Sequence, residues 1–428
     1  MNVISTEYLI EDKLIFKNKM LNWANRFNIF CFLDNNEYDF QSPSFDCILA
    51  AGCKRSIKPA AGNVYANLQQ FYNEKPTWLF GHLGYELKNE TEKLSDTKKP
   101  FINFGAAFFF EPEMIIQVTN GQFSVLNSSM DASVIFKEIS SQSESIISPF
   151  TTKPVLKNSV SKQDYIETIK KLQQHIRLGD CYEINFCQQF FAEDVEIDPI
   201  EIYRKLAEVS PNPFSGLYRL NDKYCMCASP ERYLQKKGNN IISQPIKGTI
   251  KRDLQNTADD KLNKENLAKS KKDKSENVMV VDLVRNDLSK ICEEGSVKVE
   301  ELFGIYSFPQ VHQMISTITG TVKQHTPWTD IIKATFPMGS MTGAPKKAVL
   351  ELIDRYESTG RGLFSGSIGY ISPDGDFDFN VVIRSIFYDE NLKLLSFLAG
   401  GGITFYSKAE DEYEESMLKA EAIMKVLK

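Results

Sequence analysis

Residues 223–250 read KYCMCASPERYLQKKGNNIISQPIKGTI. Two strand-like runs, 223–228 and 231–243, follow one another with only a Ser-Pro step between them. A parallel partner would need a crossover of about a dozen residues or more, so runs this close in sequence pair antiparallel. The same succession recurs at 363–371, 380–388 and 392–399, while helical patterns lie at 198–208, 264–291, 344–357 and 408–427. Strands in consecutive groups, rather than in strict alternation with helices, predict an α+β fold with antiparallel β-sheets and helices packed outside.

Upstream, Ser161 is placed to cap a helix with apolar positions Ile166, Ile169, Leu172 and Ile176, closing at Gly179. Tyr182, Ile184 and Phe186 then alternate as in a strand. The stretch SSQSESIISPFTTKPVLKNSVSKQ (140–163) has no sustained period and is rich in Ser, Thr, Lys and Pro. It divides the chain into a β-rich N-terminal region (1–145), a linker (146–160) and a mixed region (161–428).

The 428 residues are 42% apolar and 25% charged, enough for a substantial core. Lys plus Arg number 50 against 56 Asp plus Glu, a net charge of −6. No pooled positive field exists to track phosphates, which excludes a nucleic-acid binder of that kind. No run approaches the ~18 apolar residues of a membrane span. The start, MNVISTEYLIEDKLIF, carries acids within its apolar stretch and no basic lead, so no secretory signal is expected. The eight cysteines are scattered, as in a cytoplasmic protein with reduced thiols. Four histidines, none paired at i, i+4, give no basis for a histidine-bound zinc.

Acidic residues supply the first candidate chemistry. On the C-terminal helix Tyr413, Met417, Ala420, Met424 and Leu427 form an apolar stripe, and Glu412, Glu415 and Lys419 gather in another sector. Alone, this reads equally as a solvated face. Asp273 and Glu276 repeat the spacing, and Glu276 shares its sector with Val280, where an unpaired carboxylate is costly. Two such pairs suit Mg²⁺, a hard ion that prefers oxygen. Gly400, Gly401 and Gly402 follow a strand, consistent with a tight turn or with backbone N–H groups approaching an anion. The run FPMGSMTGAPKK lacks the spacing of a phosphate-binding loop. Lys247, at a strand end before Gly-Thr, would be a nucleophile if desolvation lowered its pKa, and Glu231 on the neighbouring strand would be its acid–base partner.

The segments GDCYEINFCQ, SPERYL, QPIKGTIKR, SENVMVVDLVRNDL, FPQVHQMISTITG, FPMGSMTGAPKKAVLELID, GSIGY, VIRS, AGGGIT and EYEESMLKAEAI occur in this order. Together they resemble the chorismate-utilising enzymes of the anthranilate synthase component I family, and within it the aminodeoxychorismate synthase type. The resemblance is nearly continuous over 160–426 and weak over the first 150 residues. It implies α/β/β/α layering and amination of chorismate at C4 to 4-amino-4-deoxychorismate, towards p-aminobenzoate and folate. Lys247 stands where anthranilate-type enzymes have alanine, and would attack C2 and expel the 4-hydroxyl before ammonia enters at C4.

The resemblance also implies roles for the other residues. Glu231 becomes the general acid/base; Glu276 and Glu415 become direct Mg²⁺ ligands, with Asp273 and Glu412 acting through water. Gly248, Thr249, His312, Gly400, Gly401, Gly402 and Lys419 lie at the substrate, and Arg384 takes the pyruvyl carboxylate. Ammonia is expected from a separate glutamine amidotransferase subunit, since no glutaminase and no pyruvate-removing lyase is recognisable in the chain. Phe364 replaces a substrate-contacting tyrosine of anthranilate synthases, and FDCILAAGC replaces one wall of their tryptophan pocket, although Pro213 and Phe214 resemble the other wall. Anthranilate synthase component I is the alternative reading, and Lys247 speaks against it, as it does against a water-using isochorismate or salicylate synthase. A silent homologue would have lost one of these groups.

Overall fold

The computed structural model describes residues 8–38, 45–143, 149–151, 153–308 and 310–428. Part of the expected linker, 146–148 and Thr152, lies outside the described residues, as does Pro309 of the FPQVHQ motif. Among the described residues the strands form one sheet of twelve and one of ten. Their ladders are antiparallel, as expected for strands joined in consecutive groups.

Alternation along the strands builds the layers. In Ile29–Asp34, Phe30 and Phe32 join Met20 and Trp23 of the helix Lys13–Ala24, whereas Cys31 faces the second sheet. Cys47–Ala51 divides likewise, with Cys47, Leu49 and Ala51 on the helix side and Ile48 and Ala50 between the sheets. In the shared core His82 Nδ1 of the smaller sheet lies 3.1 Å from Tyr218 Oη of the larger, both buried. Helices Pro199–Val209 and Ala409–Val426 cover the outer face of the larger sheet, and Val64–Glu74, Lys271–Ser289 and Trp328–Thr335 pack against the smaller. The result is the α/β/β/α arrangement.

Some elements are finer than the sequence patterns. The run 231–243 is a hairpin, Arg232–Lys237 and Asn240–Gln244, turned at Gly238 and Asn239. The run 264–291 is two helices, Thr257–Lys269 and Lys271–Ser289, because the Ser270 hydroxyl accepts the Asp273 N–H at 3.2 Å and starts a new helix. The run 380–388 is interrupted between Phe377–Asn380 and Ser385–Asp389, where Arg384 takes a φ of +51°, unusual for a residue with a side chain.

The boundary at 146–160 separates stretches of sequence but not sheets. Ile29–Asp34 pairs with Phe214–Leu220 in the larger sheet, and Leu79–Leu83 pairs with Ser367–Ile371 in the smaller. Among the described residues no helix is long and apolar enough to cross a membrane.

Candidate active site

The strand Ile246–Lys251 ends the smaller sheet, and Glu183–Ala192 with Leu394–Ile403 lies near one edge of the larger. Between them, under the helices Lys271–Ser289 and Ala409–Val426, is a cavity of about 100 Å³. That is room for a small organic molecule and several times what one water needs. Lys247, Glu231, Gly248, Thr249, Arg384, Gly400, Gly402, Lys419, Asp273, Glu276 and Glu415 line it.

Lys247 owes its direction to a bulge. Ile246 pairs with Ile315 but Thr249 with Gln313, so Lys247 and Gly248 fall in a register shift that re-aims the lysine. Gly248 has a φ of +96°, and a Cβ there would lie 2.9 Å from Asp273 Cβ; the turn requires glycine. The buried Lys247 Nζ donates to Glu183 Oε1 at 2.6 Å. Burial pulls the lysine pKa down, as the sequence reading expected, but Glu183, Glu276 and Glu231 outweigh it and hold the ammonium above the ordinary lysine value. At rest the lysine is charged, which corrects the expectation of a lowered pKa.

The three glycines are strand residues, not an anion-binding turn. Gly400, Gly401 and Gly402 pair with Cys187, Phe186 and Asn185. A Cβ on Gly402 would stand 2.7 Å from Glu183 Oε1 and 2.9 Å from Lys247 Nζ, so the missing side chain makes room for that ion pair. Gly401 does not line the cavity; its Cβ would stand 3.5 Å from Glu415 Oε1 and 3.6 Å from Glu412 Oε2.

Burial pushes the Glu231 carboxyl up to about 7, against the opposing pull of Ser340 and Lys247. A carboxylic acid that keeps its proton near neutrality can donate it to a leaving group. Burial lowers Arg384 to about 10, and Glu231 is the charge that opposes this. The Arg384 guanidinium lines the cavity without an ion pair or hydrogen bond of its own among the described residues, which suits it to a ligand's carboxylate.

The four acidic candidates divide. Lys419 holds Glu415 down at about 2 and pairs with it at 2.8 Å, while burial lifts Glu276 to about 8 despite Lys247. Glu412 is wholly buried rather than in a polar sector. The buried face of its helix runs through Ala409, Glu412, Ser416, Ala420 and Ile423, so Tyr413, Met417 and Met424 are only half-buried. Lys272 Nζ stands 2.6 Å from Glu412, 3.6 Å from Glu415 and 3.8 Å from Glu276. Glu276 Oε1 and Glu412 Oε2 are buried without hydrogen-bond partners, and such hard donors fit Mg²⁺ in kind. Among the described residues, however, no three side chains stand ready to hold a metal, because the carboxylates are arranged around the Lys272 ammonium.

His312 does not reach the cavity. On its strand Gln313 faces inward, and His312 lies between Ser307 Oγ at 2.9 Å and Asp260 Oδ1 at 3.1 Å. Sequence reasoning missed Glu183, Asn185, Lys272 and Gln313. For the first two the signal was present: if Ile184 and Phe186 point to the helices, Glu183 and Asn185 point to the opposite face, which is also buried.

The family profile for chorismate binding enzymes matches residues 32–425. The chain belongs to the chorismate binding enzyme family. Among its relatives, aminodeoxychorismate synthase component 1 of Salmonella typhimurium is 36% identical over 346 residues, covering 80% of this chain and 75% of that protein. Anthranilate synthase component 1 of Saccharolobus solfataricus is 32% identical over 346 residues, 81% and 79% of the two chains. The crystal structure of anthranilate synthase component I from Streptococcus pneumoniae superposes with a TM-score of 0.77 at 24% identity, over 91% of this chain and 94% of that one; it shares the fold.

Proposed function

We propose that this chain is component 1 of an aminodeoxychorismate synthase, a transferase that aminates chorismate at C4 to 4-amino-4-deoxychorismate with ammonia from a separate glutamine amidotransferase subunit. The observation that carries the reading is Lys247, buried at the cavity on a bulge, opposite an acid that keeps its proton near neutrality. Identity alone separates the amino-deoxychorismate and anthranilate relatives by little, 36% against 32%. Lys247 favours the aminodeoxychorismate type, since the alanine that the anthranilate type carries at this place offers no nucleophile.

In this reading Arg384 binds one carboxylate of chorismate and orients the ring. Lys247 Nζ forms a bond to C2, the two ring double bonds shift, and the C4–O bond breaks. Glu231 gives its proton to the departing oxygen, which leaves as water. Ammonia then forms a bond to C4, the double bonds shift back, Lys247 departs from C2, and the new ammonium at C4 returns a proton to the Glu231 carboxylate. Covalent catalysis of this kind replaces one difficult substitution with two allylic ones. Glu276 and Glu415, supported by Asp273 and Glu412, would hold Mg²⁺, with Lys272 displaced from among them. When bound, the ion neutralises carboxylate charge on the substrate.

Incubation of the full chain with chorismate, Mg²⁺ and an ammonium salt tests the reading. A non-fluorescent product with the mass of aminated chorismate is expected, and Lys247→Ala should not form it. Fluorescent anthranilate from the unaltered chain would favour the alternative.

A further inference from the structure

A charged Lys247 cannot attack, so its proton must go somewhere before the N–C2 bond forms. The ion partner of Lys247 among the described residues is Glu183, whose Oε1 is 2.6 Å from Nζ. Glu183 is 1% exposed, and its second oxygen, Oε2, is buried with no hydrogen-bond partner. A buried carboxylate with one oxygen on an ammonium and the other unsatisfied is an electron-rich group short of donors. Its Oε1, in direct hydrogen bond with Nζ, is placed to receive the ammonium proton without an intervening group.

Among the described residues the hydrogen bond of Lys247 Nζ goes to Glu183, and the other charged groups stand farther off. Glu231 and Arg384 come from segments flanking strands, Glu276 and Lys272 from one helix, Glu415 and Lys419 from the other. Glu415 pairs with Lys419 at 2.8 Å, and Glu276, which has Lys272 at 3.8 Å, makes no ion pair with Lys247 among the described residues. Glu231 must arrive protonated to release the 4-hydroxyl as water, so it cannot also accept the lysine proton. Gly402 is shaped around this same contact, since any side chain there would enter both Glu183 and Lys247.

We propose that Glu183 is the catalytic base that frees Lys247 for attack. The proton passes from Nζ to Glu183 Oε1, leaving the nitrogen lone pair to form the bond to C2 and Glu183 as a neutral acid. When ammonia enters at C4 and the N–C2 bond breaks, the lysine amine departs neutral and recovers the proton from Glu183. No other reactant is required. This inference rests on the nucleophilic reading of Lys247 given above.

The test is the rate of the covalent step, read by rapid quench and intact-protein mass on the full chain with chorismate and no ammonia. The unaltered chain should gain the mass of chorismate less water on Lys247. Glu183→Gln, which keeps the shape and an acceptor oxygen but cannot hold the proton, should form this species about 10²-fold or more slowly. Glu183→Asp should recover part of the rate. Chorismate affinity, measured by calorimetry, should change little in either variant. Adduct formation at the original rate in a folded Glu183→Gln would overturn the inference alone. If Glu183→Gln fails to fold, Glu183→Asp decides: an unchanged rate there, with the carboxyl drawn back from Nζ, overturns it. Absence of any adduct in the unaltered chain would overturn the role of Lys247 and this inference with it.

Discussion

Glu231 and Lys247 face one cavity with opposite protonation demands. Glu231 acts with its proton on, and burial keeps it there up to about pH 7. At a fixed concentration of free ammonia, kcat/KM for chorismate should therefore fall as pH rises through about 7, approaching tenfold per unit above it. Glu231→Gln should lower the rate by about 10²- to 10⁴-fold and remove this limb. A limb that survives in Glu231→Gln would assign the titration to another group. Both residues were legible as motif residues, because each sits beside a turn signal: Pro230 before Glu231, Gly248 after Lys247. The charge state of Lys247 was not legible, since it depends on Glu183, which lies 64 residues away in sequence.

Strands and helices position these groups with different tolerances. Gly402 lies one residue from the end of the strand Leu394–Ile403, where an added methyl meets the Glu183–Lys247 pair rather than backbone. Gly402→Ala should leave thermal unfolding within a few degrees of the original while kcat falls by about 10²-fold, the usual effect of displacing reacting groups by about 1 Å. Equal losses of stability and activity would contradict this. At the other extreme, Ser161 accepts the Asp164 N–H at 3.1 Å and caps the helix Lys162–Leu178, and it does not line the cavity. Ser161→Ala should cost about 1 kcal/mol in denaturant unfolding and leave kcat unchanged. This helix was readable from its cap, its apolar spacing and its terminal Gly179. The C-terminal helix was readable in extent but not in rotation: its buried stripe includes Glu412 and Ser416, polar residues that spacing rules assign outward. Their burial is set by the neighbours, Lys272 for Glu412 and Gln188 for Ser416, which no local pattern contains.

At the scale of the whole molecule, the described residues form one pair of sheets woven from both halves of the chain. Strands before residue 143 lie beside later strands in each sheet, so a fragment comprising 161–428 would expose the hydrogen-bonding edges of Phe214–Leu220 and Ser367–Ile371. Such a fragment should fail to show cooperative thermal unfolding by circular dichroism; a cooperative melt would establish an independent catalytic unit. Consecutive strand runs made the antiparallel fold class legible, but the pairing of N-terminal with C-terminal strands was not, because register between distant segments is decided by packing. Behind the cavity, buried Arg361 pairs with Glu357 at 2.6 Å and donates to the carbonyls of Asn185 and Met341, while Glu357 accepts the Cys187 N–H. This buried pair ties the cavity wall to the sheet edge. Arg361→Leu leaves Glu357 uncompensated and should cost about 3–5 kcal/mol in unfolding free energy.

The position of the new nitrogen in the product tests the central claim most directly. With isotopically labelled ammonia, chorismate and the full chain, magnetic resonance of the product reports which ring carbon carries nitrogen. The account predicts label at C4 with the enolpyruvyl group retained. Label at C2, or release of pyruvate to an aromatic amine, would contradict it.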